Sequence, residues 1–270
     1  MNDVAISLTL QSPTHARLNI LREYCQHYIL RMMATHNQMQ SLAFVGGTAL
    51  RVLYNLPRFS EDLDFSALPS EQNRTTDIAQ TASQLVSALT KAGYEINSSK
   101  TKNDPVVQST FLKFSGLLQA AQITKDKRRQ LSIKLEVDTN PPKGAKTEKS
   151  LVTKYMPIAI THFDIPTMMA GKIHAALARP YPKGRDWYDL IWYFTRFQAI
   201  VPNFDFLTNA LEQRGEEFLP IDTHNFRSKL SEKFASLQWE ELVSDFQPFV
   251  EDSGDLQMFD KDIFLKVLKG

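Results

Sequence analysis

Cysteine is nearly absent from this chain: Cys25 stands alone among 270 residues, so no disulfide can close within it. A charge excess is missing as well. Lys and Arg number 31 against 30 Asp and Glu, a formal charge of +1, which excludes a polybasic nucleic-acid coat and an acidic solvating tail. No apolar run approaches the roughly 18 residues that a membrane-spanning helix needs. Even the aromatic stretch 187–201 is interrupted by Asp189 and Arg196. Residues 1–10 have neither the charged start nor the long apolar stretch of a secretory signal. These absences lead us to expect a cytoplasmic protein in a reducing compartment, with no membrane partner. With 43% hydrophobic residues the chain has enough apolar material for one large core or two modest ones, so disorder is excluded.

Apolar spacing predicts a helix from about Pro13 to His36. A short apolar run, Ser41–Val45, then meets Gly46-Gly47 and a helical pattern from Thr48 to Tyr54: strand, glycine turn, helix. Pro57 stops that helix, and Asp62-Leu63-Asp64-Phe65 alternates as a half-buried strand does, with both aspartates on one face. A second amphipathic helix is expected from Asn73 to Lys91, ended by Gly93. Strands are expected over Thr110–Leu118 and Gln130–Thr139. In the second, Ile133, Leu135 and Val137 face one way and Lys134, Glu136 and Asp138 the other. Basic loops lie at Lys125–Arg129 and Lys143–Lys154. From Asp164, a natural N-cap followed by Pro166, the chain turns mainly helical, with a further helix over Arg185–Phe197.

Three patches of this pattern can carry chemistry. At Gly46-Gly47-Thr48, two glycines between strand and helix let backbone amides approach an anion, and the helix dipole favours negative charge, so a triphosphate fits there. Asp62 and Asp64, at i and i+2 on a strand, place two carboxylates side by side, as a divalent cation bridging phosphate oxygens requires. Hard oxygen ligands point to Mg²⁺. An isolated Asp-x-Asp is more often solvated surface, and a glycosyltransferase could use one too, but it would not need a phosphate-cradling turn just upstream. The second patch is Glu136 or Asp138, either of which supplies a third carboxylate as metal ligand or base if its strand lies beside Asp62–Asp64. The third joins Lys172 to Arg185, Asp186 and Asp189. A lysine can meet phosphate as a point charge while an aspartate holds it, although an interhelix ion pair accounts for the same spacing. Trp187, Tyr188, Trp192, Tyr193 and Phe194 suit a core better than a stacking platform, and Cys25 and His174 suit structural roles.

Taken in order, Gly46-Gly47-Thr48-Ala49-Leu50, Arg58-Phe59-Ser60-Glu61-Asp62-Leu63-Asp64-Phe65, Lys134-Leu135-Glu136-Val137, Ala170-Gly171-Lys172-Ile173-His174-Ala175 and Arg185-Asp186-Trp187-Tyr188-Asp189-Leu190 resemble the AbiEii/AbiGii family of nucleotidyltransferase toxins. The resemblance spans residues 41–195. It implies an α+β fold: a polymerase-β-like nucleotidyltransferase core with a mixed sheet over 1–163, and a helical C-terminal domain over 164–270 that completes the active site. It also implies a place in bacterial abortive infection or type IV toxin–antitoxin pairs, with a cognate antitoxin as partner. Carried over by position, Gly46, Gly47, Thr48 and Ser60 would bind the nucleotide phosphates, and Asp62 and Asp64 the metal. Glu136 would be the third carboxylate, with Asp138 open as the alternative. Lys172 would neutralise triphosphate, Arg185 would join it in binding the nucleotide, and Asp186 and Asp189 would form the catalytic acidic pair. Family members are associated with GTP binding or with nucleotide transfer to the 3′ acceptor end of tRNA. The expected activity is therefore Mg²⁺-dependent transfer of NMP from an NTP to tRNA. The alternatives are transfer to a small hydroxyl acceptor, and a GTP-binding interaction protein without transfer.

Overall fold

The computed structural model describes residues 2–68, 77–213, 215, 220–251 and 260–269. They divide into two compact units. The first comprises Met1–Asn55, Phe59–Asn140 and Glu148–His162. The second comprises Leu56–Arg58, Pro141–Thr147 and Phe163–Gly270.

The first unit is a mixed sheet of eight strands with helices. Its strands are β1 Leu42–Val45, β2 Leu63–Ala67, β3 Ile96–Ser98, β4 Lys102–Asn103, β5 Val107–Phe114, β6 Leu131–Asp138, β7 Thr147–Val152 and β8 Ile158–Phe163. They lie in the order β3-β5-β6-β2-β1-β8-β7, with β4 paired to β5. Two parallel pairings, β2 with β6 and β1 with β8, sit among antiparallel ones. Alternation sorts the side chains by face. Leu63 and Phe65 of β2 share one face with Ile133, Leu135 and Val137 of β6 and Leu112 of β5, and all are buried. Helices α2 (Arg17–Thr35) and α4 (Ile78–Lys91) pack on the sheet at β6 and β5, and α1 (Asn2–Leu10) packs on α2. The other face of the central strands carries Asp64, Lys134, Glu136 and Asp138.

Local chemistry explains most boundaries. Asp77 caps α4 by accepting from Ala79 N at 2.9 Å and Gln80 N at 3.0 Å. Residues 73–76 of the expected helix lie outside the described residues. Gly93 follows α4 in the left-handed region at φ +90, as its expected capping role requires. The first long helix starts at Arg17 rather than Pro13, because residues 13–16 close a turn in which Ala16 N donates to Pro13 O. The strand expected to reach Leu118 stops at Phe114. Gly116 takes φ +70, and Leu117–Ala120 form one helical turn, α5. The β7–β8 hairpin is a feature the spacing did not announce.

The second unit is helical: α6 Ile165–Ala178, α7 Gly184–Arg196, α8 Phe204–Gln213, α9 Phe226–Ala235, α10 Trp239–Phe246 and α11 Lys261–Lys269. Asp164 caps α6 through Thr167 N at 2.9 Å, with Pro166 in the first turn where its missing N–H costs nothing. The aromatic stretch is core: Trp187 packs on Phe234 and Tyr188 on Phe246, all buried. No helix among the described residues is long and apolar enough to cross a membrane.

Candidate active site

In the first unit the chain runs from β1 straight into α3 (Gly46–Tyr54). Val45, the residue before the helix, makes no side-chain cap hydrogen bond, and a helix start of this kind directs backbone amides where an anion can be received. Gly46 turns the chain at φ +80. Antiparallel pairing sets Val45 level with Asp64 on β2, which brings the Asp64 carboxylate against the glycine. A methyl group at Gly46 would come within 2.5 Å of Asp64 Oδ2. Glycine is required twice over here, by the backbone angle and by the carboxylate. Thr48 is buried and donates its hydroxyl proton to the carbonyl of Asp62, fixing the start of α3 to the start of β2.

We expect Gly46→Ala to reduce nucleotidyl transfer about a hundredfold, the typical result of displacing a reacting group by about an ångström. Initial rates at saturating substrate would measure it. A variant as active as the wild type would show that the turn is not part of the site.

Parallel pairing then sets Asp64 level with Glu136, and Ser66 level with Asp138. The face bearing Asp64 therefore also bears both candidate third carboxylates, with Glu136 the one opposite Asp64. Glu136 is held by Lys134, whose ammonium donates to Glu136 Oε2. Burial opposes the charge on Lys134, but the hydrogen bond and charge of Glu136, with Asp62 and Asp64 nearby, outweigh it and hold the ammonium above the ordinary lysine range. Asp138 is half-buried like Glu136, and burial raises its carboxyl while the amide of Asn140 works the other way. Lys134 was not among the residues singled out from the sequence. The alternation did place it on the carboxylate face, which was the available signal.

Ser60 lies on the segment leading to β2, where its carbonyl accepts from Gln26 Nε2 at 3.1 Å. The neighbouring Glu61 pairs with Arg22 at 3.2 Å. Helix α3 is anchored from its other end. Arg51 Nε donates to Glu23 of α2 at 2.8 Å, and the same buried carboxylate accepts from Lys154 and from the Tyr155 hydroxyl.

Among the described residues no three His, Cys, Asp or Glu side chains are gathered as a ready metal cage. The chemistry of the set still fits Mg²⁺, which is usually held by one or two carboxylates together with substrate phosphates rather than by an all-protein cage. Asp62 and Asp64 would supply the carboxylates, and the missing side chain of Gly46 lets the Asp64 carboxylate sit against the glycine turn.

The remaining expected residues meet in the second unit. Lys172 of α6 reaches Asp186 at 2.9 Å and Asp189 at 2.7 Å, both on α7. Arg58 donates two hydrogen bonds of 2.7 Å to the two oxygens of Asp189, and Arg179 pairs with Asp186 at 2.6 Å. This is the interhelix ion pairing that the spacing allowed. Desolvation opposes charge on Lys172 and on Arg58, but the facing aspartates overcome it and raise both above their ordinary values. Burial likewise tends to raise Asp186, yet Lys172 and Arg179 bring it below the usual carboxylate range. Arg185 is engaged elsewhere: its amide donates to Asp245 at 2.9 Å and its guanidinium lies over the Phe249 ring at 4.6 Å. Cys25 is buried, and burial pushes its thiol up to about 12, which fits an inert packing residue.

A mixed sheet that holds a glycine turn and a helix start against the strand of Asp64 defines the class of the protein as a nucleotidyltransferase fold. Two solved structures from Helicobacter pylori share it. The protein JHP933 is 20% identical over 93% of this chain and 88% of its own, with a TM-score of 0.52. A candidate nucleotidyltransferase is 21% identical over 90% of this chain and 89% of its own, also at 0.52. No curated protein sequence matches the chain. The nucleotidyl transferase AbiEii toxins of type IV toxin–antitoxin systems match residues 28–263, and the chain belongs to that family. It is a nucleotidyltransferase of the toxin type, which implies an NTP substrate and an antitoxin partner.

Proposed function

We propose that this enzyme transfers a nucleoside monophosphate from an NTP, with Mg²⁺, to the 3′ end of an RNA, tRNA foremost, and so blocks translation and growth. The observation that carries the reading is the approach of Asp64 to Gly46, a carboxylate held against the glycine turn at the start of α3. The amides at the start of α3 receive triphosphate oxygens. Asp62 and Asp64 would hold the cation, which when bound neutralises charge on the phosphate oxygens. Glu136, level with Asp64, accepts the proton of the acceptor hydroxyl. The hydroxyl oxygen bonds to the α-phosphorus, the bond from that phosphorus to the β-phosphate oxygen breaks, and pyrophosphate leaves. Lys134 offsets the mutual repulsion of the carboxylates and keeps Glu136 aimed along the strand face. Lys172, whose ammonium is shared by Asp186 and Asp189, is assigned to holding α6 against α7.

The test is incubation with total bacterial RNA, Mg²⁺ and each α-labelled NTP in turn. Label on tRNA-sized RNA supports the proposal. Label confined to small acceptors, or nucleotide binding with no product, would replace it with one of the two alternatives. The loop at Lys125–Arg129 and the segment Lys143–Lys154, expected to be a loop but forming strand β7 over Thr147–Val152, are the proposed sites of RNA phosphate contact. Binding of a single strand weakens with salt by a log–log slope of about −0.7 per phosphate neutralised. RNA transfer should therefore fall with added salt more steeply than nucleotide affinity does. Equal slopes, measured side by side, would remove RNA phosphates from the picture.

A further inference from the structure

A cavity of about 730 Å³ opens on the first unit, lined among others by Lys100, Lys102, Ser109, Phe111, Lys134 and Glu136. Its size is that of a pocket for a small ligand. Strand register explains its position. Lys102 of β4 is level with Ser109 of β5, Ser109 with Glu136 of β6, and Glu136 with Asp64 of β2. Residues level on adjacent strands share a face, and strands lie about 4.8 Å apart, so this row runs about 14 Å from the Asp64 carboxylate to the lysine. Phe111 is level with Lys134 on the same face, and 40% of it is exposed. An aromatic ring left in water beside lysines and a hydroxyl is poor packing but a good stacking surface for a base. The fifth charged lining residue, Asp104, turns its carboxylate onto the amides of Val106 and Val107 at 2.9 and 3.2 Å. The loop at Lys125–Arg129 lines no part of this cavity, and Arg128 there is answered by Asp126.

We infer that this cavity seats the single-stranded 3′ end of the acceptor polynucleotide, with a base against Phe111, backbone phosphate at Lys100 and Lys102, and the terminal hydroxyl presented at Glu136. The inference rests on the proposed transfer to RNA and adds where the acceptor lies. A base can stack on Phe111 only where it is unpaired, because a duplex keeps its base faces covered.

The experiment uses the full-length protein and a short fluorescein-labelled single-stranded RNA with a free 3′ hydroxyl, read by anisotropy, with transfer to the same RNA and NTP affinity measured in parallel. Phe111→Ala and the double variant Lys100→Ala, Lys102→Ala should each raise the RNA Kd and the KM for RNA about tenfold, leaving NTP affinity unchanged. Phe111→Trp should keep wild-type affinity, which separates lost stacking from lost structure. The same RNA annealed to its complement should compete poorly. If wild-type protein labels the RNA and the variants bind it equally well, the acceptor lies elsewhere and the cavity assignment falls while the transfer proposal stands. If wild-type protein neither binds nor labels RNA, the transfer proposal falls and the cavity assignment goes with it.

Discussion

Replacing Asp64 with Asn should lower nucleotidyl transfer about a thousandfold with the fold intact. The carboxylate is one of two that would hold the cation, and losing such an interaction costs several kcal/mol in the transition state, each 1.4 kcal/mol being about tenfold in rate. Stability should change by no more than about 0.5 kcal/mol, because Asp64 is only partly buried and Asn keeps its shape. Asp62→Asn should behave in the same way. Glu136→Gln should cost less, about a hundredfold, the usual contribution of a general base. Single-turnover rates with one labelled NTP would order the three. An Asp64→Asn enzyme within tenfold of wild type would move the chemistry off this strand.

The second large effect is on stability. Arg58 is 2% exposed and Asp189 0%, joined by two hydrogen bonds of 2.7 Å. Removing one member of a buried ion pair typically costs about 3–5 kcal/mol, since the partner keeps its desolvation cost without its counter-charge. The cluster holds three cations, Arg58, Lys172 and Arg179, against two carboxylates, Asp186 and Asp189. Losing a carboxylate is therefore the more damaging change. We expect Asp189→Ala to destabilise the second unit by about 4 kcal/mol, a large share of the 5–15 kcal/mol available to a domain. The double variant Arg58→Met, Asp189→Leu should recover part of that, because apolar side chains of similar volume carry no desolvation cost. Denaturant melts of the three proteins would show it. A double variant less stable than Asp189→Ala would contradict the argument.

The same cluster gives the acid limb of stability its sign. Asp186 is held below the usual carboxylate range, so its contribution is fully present above its unfolded value, near pH 4, and is lost as the pH falls through its lowered native value. Asp186→Asn should flatten that limb in a pH series of melting temperatures.

How much of this was legible depends on sequence distance. The strand, glycine turn and helix around Gly46, the alternation of Asp62–Phe65 and the cap at Asp164 are local, and the structure reproduces them with shifts of a residue or two. The β7–β8 hairpin was not read because β7, at the end of the sheet, is polar on both faces and lacks an apolar alternation. Gly116 carried no mark that distinguished a strand stop from a tolerated glycine, so the strand before it was drawn too long. The partner of Arg58 lies 131 residues away, and no local pattern reports such a distance. Lys134 is the intermediate case. Its face was legible, but its carboxylate neighbours across the sheet follow only from the pairing of β2 with β6.

The most direct test of the central claim supplies the wild-type enzyme with its preferred NTP labelled in one sample at the α-phosphate and in another at the γ-phosphate, with total bacterial RNA as acceptor. Nucleotidyl transfer puts label on RNA from the α-phosphate alone, with the γ-label recovered as pyrophosphate in equal amount. Label transferred from the γ-phosphate, or NTP consumed without pyrophosphate, would show that the Asp62–Asp64 strand serves a different reaction.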